Sequence, residues 1–182
     1  MKAVFFREHG DLSVLQYDEV PTPDPEPGWV RLKVHACGLN HLDVFSRRGM
    51  PGIKVELPGI TGGDCAGTVD KLGDGVSGWK VGERVLPIPH HVGWSTGTFE
   101  MLGETRNGAM AEYCTVRASQ LMRLPEKISD EKAAALPAPM EQPTGCCTPA
   151  ARSRPAKPCW CWARRAASAP QACFSPNSPA VR

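Results

Sequence analysis

Apolar positions in this chain fall in short runs broken by glycine and proline, with no long helical stripe anywhere. The strongest alternation is at residues 29–36, where Val30, Leu32, Val34 and Ala36 face one way and Arg31, Lys33 and His35 the other, which predicts a half-buried strand. It ends at Cys37-Gly38. Asn40 then stands where a cap belongs, predicting a short helix over 41–48 that Gly49 and Pro51 terminate. Upstream, the apolar runs 2–6 and 13–17 flank His9, Gly10 and Asp11, the pattern of a hairpin. The four prolines of 20–28 remove too many N–H donors for a central strand, so this stretch reads as an extended surface connection.

Residues 59–87 alternate strand-like runs with turn glycines. Strands are expected at 66–69 and 84–86, with Gly73, Gly75, Gly78 and Gly82 supplying the turns between them. Two neighbouring strands with no helix between them imply a small antiparallel barrel or sandwich. Residues 87–102 read as loop, 108–116 and 121–124 return to strand character, and Ser129 caps a helix over 129–135. The fold class expected is mainly β with short helices.

Composition narrows the function classes. The 182 residues have room for one good-sized domain, or one domain and part of a second. Net charge is only +2, and basic and acidic residues interleave as far as Glu141, so no basic stripe points to nucleic acid or an anionic membrane. No apolar run is long enough to span a bilayer and the opening MKAVFFREHG lacks a signal-peptide pattern, which together predict a cytoplasmic protein. Of the eight cysteines, Cys37, Cys65 and Cys114 are spread through the patterned region as expected of buried free thiols, and the other five crowd into residues 146–173.

From about Met140 the patterning fails. Seven prolines between 143 and 179 interrupt any regular element, and the composition predicts a non-native or disordered tail over 139–182 after a domain of residues 1–138. The genetic code sharpens this. Trp has a single codon and Cys two, so reading Cys159-Trp160-Cys161-Trp162-Ala163 from the third base of each codon forces Leu, Val, Leu, Gly. The neighbouring codons permit VLVLGASGGVG, an apolar strand running into a glycine-rich turn of the kind that cradles a pyrophosphate. A one-base slip near Pro139, in the gene, the clone or the record, accounts for the tail. The bland alternative is that GC-rich DNA yields Gly and Ala in every frame.

The wording of 64–86, an acidic residue followed by AGTV, then GDGV, a tryptophan and KVGERV, resembles the medium-chain dehydrogenase/reductase family, in which this segment belongs to an amino-terminal GroES-like barrel. SDEKAAALP at 129–137 is similar to the family's approach to a nucleotide-binding Rossmann domain, which the tail replaces. The resemblance implies an oxidoreductase using NAD or NADP on a small-molecule substrate, homo-oligomeric when intact.

Zinc-dependent relatives begin their ligand set with a cysteine, which Cys37 matches, and continue with a histidine in a Gly-His-Glu motif, where this chain has Gly62, Gly63 and Asp64. A catalytic zinc takes about three protein donors, and the hydroxyl residue expected two places after the cysteine is Leu39. Residues 87–102 hold none of the cysteines of the structural-zinc lobe, and the adjacent His90 and His91 read as loop histidines. No metal site is therefore expected. By resemblance to the zinc-independent reductases of quinones and activated alkenes or carbonyls, Asn40 lies near the nicotinamide ribose and the substrate, as a catalytic and cofactor-binding residue that also caps its helix. His41 and Asp43 are the other candidate catalytic residues, a polar pair able to pass a proton to the reduced substrate, or else a structural His–Asp contact. Asp64 is expected to accept from turn N–H groups. Two other functions stay open, a zinc alcohol dehydrogenase and a stand-alone GroES-like binding or scaffold module, and the chain as written is expected to be inactive.

Overall fold

The computed structural model describes residues 1–52, 54–93 and 98–136; the tail expected over 139–182 lies outside them. The elements are β1 (Lys2–Phe6), a 3-10 turn (Leu12–Val14), β2 (Leu15–Glu19), β3 (Trp29–Gly38), α1 (His41–Arg48), β4 (Asp64–Leu72), β5 (Arg84–Pro87), β6 (His90–Gly93), β7 (Thr98–Met101), β8 (Tyr113–Arg117), a second 3-10 turn (Ala118–Gln120), β9 (Leu121–Arg123) and α2 (Asp130–Ala134). The domain is mainly β with short helices.

Its centre is a five-stranded antiparallel sheet in the order β8-β3-β4-β5-β9. β3 is long because its alternation runs unbroken, and it pairs with β4 from Val30 opposite Leu72 to Gly38 opposite Asp64, with irregularities at Arg31/Leu32 and Val34/Ala36. One face buries Val30, Leu32, Cys65, Val69, Val85, Cys114 and Val116 in a common core. Each fully buried valine or leucine there contributes about 1.5–3 kcal/mol. The start of β4 is covered on its other face too, where Ala66 packs with Leu124 and with Ala133 and Ala134 of α2. This two-sided burial explains why CAGTV does not alternate in polarity.

Ser129 caps α2 by accepting from Lys132 N–H at 3.4 Å. Asp130 then fastens the helix to the sheet, receiving Arg84 Nη2 at 2.6 Å and pairing with His35 Nδ1 at 2.9 Å. The hairpin expected at the amino terminus forms, but Asp11 accepts from Ser13 N–H and opens a 3-10 turn, so the second strand starts at Leu15.

Residues 87–102 are not all loop. β6 and β7 pair antiparallel from His90 opposite Met101 to Gly93 opposite Thr98. Four-residue strands carry too few positions to show a period. Their support is tertiary: Glu100 on β7 accepts from Arg117 Nε at 2.7 Å and Nη2 at 3.1 Å, and the Arg106 and Arg117 guanidinium groups lie 4.3 and 4.7 Å from the ring centre of the buried Trp29.

Candidate active site

The site is the corner where β3 ends and α1 begins, backed by the residues leading into β4. Asn40 is the N-cap of α1 in an extended conformation. Asp43, three residues on, accepts from Asn40 N–H at 2.7 Å through one carboxylate oxygen and from Gly62 N–H at 2.8 Å through the other. A single carboxylate therefore ties the helix start to the turn before β4. Asp43 is buried, and burial raises its pKa against the opposing pull of those two N–H donors.

The side chain of Asn40 is turned to a different partner. The N–H of Asp43 is bonded to the backbone oxygen of Asn40 at 3.1 Å, and Asn40 Nδ2 donates to Asp64 Oδ2 at 2.9 Å. Asp64 is only 2% exposed and sits opposite Gly38 in the β3–β4 register. Turn N–H groups were the partners expected for Asp64; the partner described is this side chain 24 residues away. Nothing local signals it, although the β3–β4 register would have brought the two together.

His41 and Asp43 do not form the polar pair expected of them. Residues two apart on a helix point away from each other: Asp43 faces the core with Ser46 and Arg47, while His41 is exposed and lies beside Phe45 at a ring separation of 6.5 Å. The inner face of α1 docks on the amino-terminal hairpin, where the Arg47 guanidinium donates to Gly10 O and Gly10 N–H donates to Arg47 O at 3.1 Å. Leu39, 82% exposed, flanks Asn40 on the open side.

Behind this corner the Cys37 thiol is pushed up to about 12, first by burial and then by the neighbouring Asp43, Cys114 and Asp64. Gly62 has φ +99°, and a Cβ there would stand 2.7 Å from Cys37 Sγ and 2.9 Å from Met110 N. A Cβ on Gly63 would meet Leu102 O at 3.1 Å. Gly63, the place of the histidine in the Gly-His-Glu motif, supplies no ligand, and a side chain there would press on Leu102 O. Among the described residues no three His, Cys, Asp or Glu side chains gather as a metal-binding group. Cys37 and the Asn40-bonded Asp64 do not fit a three-donor zinc site. His90, for its part, stacks on Phe99 at 6.4 Å.

A mainly β domain built on a five-stranded antiparallel sheet with short helices agrees with a GroES-like fold. The alcohol dehydrogenase GroES-like domain family matches residues 26–126, and the chain belongs to that family, within the medium-chain dehydrogenase/reductase superfamily. Human quinone oxidoreductase is 32% identical over 140 residues, covering 76% of this chain and 38% of its own length. The mouse synaptic vesicle membrane protein VAT-1 homolog-like is 29% identical over 137 residues, 75% of this chain and 29% of its own. Among solved structures, an NAD-dependent alcohol dehydrogenase superposes with a TM-score of 0.74 at 34% identity, covering 79% of this chain and 45% of that one. The chain thus spans less than half the length of each of these three relatives. Among the described residues no helix is long and apolar enough to cross a membrane.

Proposed function

We propose that this chain carries the substrate-side domain of an NAD(P)H-dependent, zinc-independent reductase of quinones or activated alkenes and carbonyls. The observation that carries the reading is the donor set: Gly63, where the Gly-His-Glu motif has its histidine, offers no ligand, Cys37 and Asp64 fall short of the three donors of a catalytic zinc, and Asn40, His41, Asp43 and Asp64 are left as the polar groups of the corner. Likeness to a quinone oxidoreductase agrees with it.

The nicotinamide cofactor, when bound, supplies the hydride. The residues of this domain do the rest. Asp43 fixes the start of α1 and the turn at Gly62 relative to each other. Asn40, held by Asp64, faces the ribose and substrate side. Exposed His41 delivers the proton that completes reduction, without help from Asp43. The enzyme is placed in the cytoplasm as a homo-oligomer, with no nucleic-acid or membrane partner.

The glycine-rich turn that holds the pyrophosphate is read in the shifted frame beyond Pro139, so the 182-residue polypeptide is proposed to be inactive and without tight dinucleotide binding. Sequencing the coding DNA through codon 139 tests the frame, and calorimetry with NADPH tests the polypeptide; tight binding would overturn that part. In frame-restored protein, NADPH-dependent reduction of a quinone or enone should proceed without bound zinc. His41→Gln should lower kcat by about 10²-fold or more with the KM for NADPH unchanged. Unchanged turnover removes His41 from the proton step. Stoichiometric zinc, with activity lost on chelation, would favour the alcohol dehydrogenase reading suggested by the structural neighbour.

A further inference from the structure

Asn40 has two chemically opposite ends, an NH2 that only donates and a carbonyl oxygen that only accepts. Which end meets a ligand depends on which end the protein has taken. In this fold the nitrogen is taken: Nδ2 donates to Asp64 Oδ2 at 2.9 Å, and Asp64 is almost wholly buried at the first position of β4. The backbone is held separately, since Asp43 receives Asn40 N–H at 2.7 Å and Asp43 N–H goes to Asn40 O. The Asn40 side chain stands in a capping-box arrangement with the N–H of Asp43, although that N–H closes its hydrogen bond on the Asn40 backbone oxygen. With backbone and nitrogen both fixed, the oxygen is the end that keeps a lone pair for a ligand. Next to Asn40 along the chain stand Leu39, 82% exposed, and the exposed His41, whose ring lies beside Phe45.

We propose that Asp64 is a positioning residue that sets the polarity of Asn40, so that the site presents an acceptor and recognises a ligand hydroxyl. This deepens the reductase reading and rests on it. A quinone or enone oxygen is itself an acceptor and gains nothing from Asn40 Oδ1. Once that oxygen has taken a proton it becomes a hydroxyl donor, so the contact forms after the proton arrives and favours the hydroxyl form over the substrate. A ribose hydroxyl offers the same donor chemistry.

The test is NMR on the 15N-labelled 182-residue chain, which needs no turnover and therefore separates failure of this proposal from failure of the reductase reading. The Asn40 side-chain amide should exchange with solvent at least about tenfold more slowly than a free asparagine. Asp64→Asn, close in volume but able to donate as well as accept, should remove that protection while the backbone spectrum stays folded; Asp64→Glu, which keeps an acceptor, should retain part of it. Fast exchange in the unmodified chain, or protection unaltered by Asp64→Asn, overturns the proposal. Titration then reads polarity. Hydroquinone should shift the Asn40 amide signals and 1,4-dimethoxybenzene, which lacks the donor, should not. A shift with nicotinamide riboside but not hydroquinone supports the hydroxyl site and makes the ribose its source. Equal shifts with dimethoxybenzene, or none with either hydroxyl ligand, overturn the acceptor assignment.

Discussion

Cys37 Sγ lies 2.7 Å from the point that a Cβ on Gly62 would occupy, and Gly62 holds a φ of +99°. Space and backbone conformation both demand glycine here. Gly62→Ala should therefore cost about 1–3 kcal/mol in backbone strain and a further ~1–3 kcal/mol in overpacking. Because Gly62 N–H also feeds the Asp43 carboxylate, the damage should spread to the start of α1. Urea unfolding of the variant checks the sum; a loss below about 0.5 kcal/mol, the range of neutral surface changes, would contradict it.

A second close approach secures α2. The carbonyl oxygen of Ala134 stands against the position of a Cβ on Gly38, and Asp64 Cβ is 3.3 Å from that same position. Gly38→Ala should push α2 off the sheet at a cost of about 1–3 kcal/mol. Amide exchange at Ala133, whose N–H is bonded to Ser129 O at 3.0 Å, should accelerate more than exchange in β3.

Asp130 sets the acid limit of that docking. Burial raises its pKa, but hydrogen bonds from Arg84 and His35 outweigh burial and hold it below the ordinary carboxylate range. A carboxyl whose folded pKa is depressed contributes stability above its unfolded pKa and loses it as pH falls through the folded value. Asp130→Asn should therefore be less stable than the parent at neutral pH, and the gap should close as pH drops below the ordinary aspartate value. Denaturant midpoints across an acid series measure this, and a gap independent of pH would contradict the assignment.

Cys37, with its thiol raised to about 12 mainly by burial, should be a poor nucleophile. At pH 8 its thiolate fraction is roughly three orders of magnitude below that of a free cysteine. Alkylation followed peptide by peptide by mass spectrometry should show Cys37 reacting slowly while the domain is folded, with the buried Cys65 and Cys114 slower still, and all three should become reactive on unfolding. Fast modification of Cys37 in the native domain would refute the burial argument.

Much of this architecture could be read locally. The alternation of residues 29–36 found β3, and Asn40 with Gly49 bounded α1 at His41–Arg48; Ser129 likewise marked the start of α2. A period or a cap is a signal carried by neighbouring residues. β6 and β7 escaped because Glu100 of β7 is held by Arg117, which lies over Trp29, and both of those partners are distant in sequence. The same limit applied at the site. Asn40, His41 and Asp43 could be picked out only as candidates, the link from Asn40 to Asp64 crosses between strands, and the expected His41–Asp43 pair gave way to helix geometry.

By itself the amino-acid order determined the mainly β character, the capped helix at the corner and the family resemblance, because these rest on periodicity, turn glycines and residue identity over a few positions. Only the tertiary structure decided that Asp43 faces inward while His41 faces out, that Gly62 stands where no side chain fits, and which end of Asn40 is held. Those outcomes depend on the β3–β4 register, which places Gly38 opposite Asp64. A hydrogen bond forms within a few tenths of an ångström of its ideal length, and only the folded chain brings residues from separate strands that close.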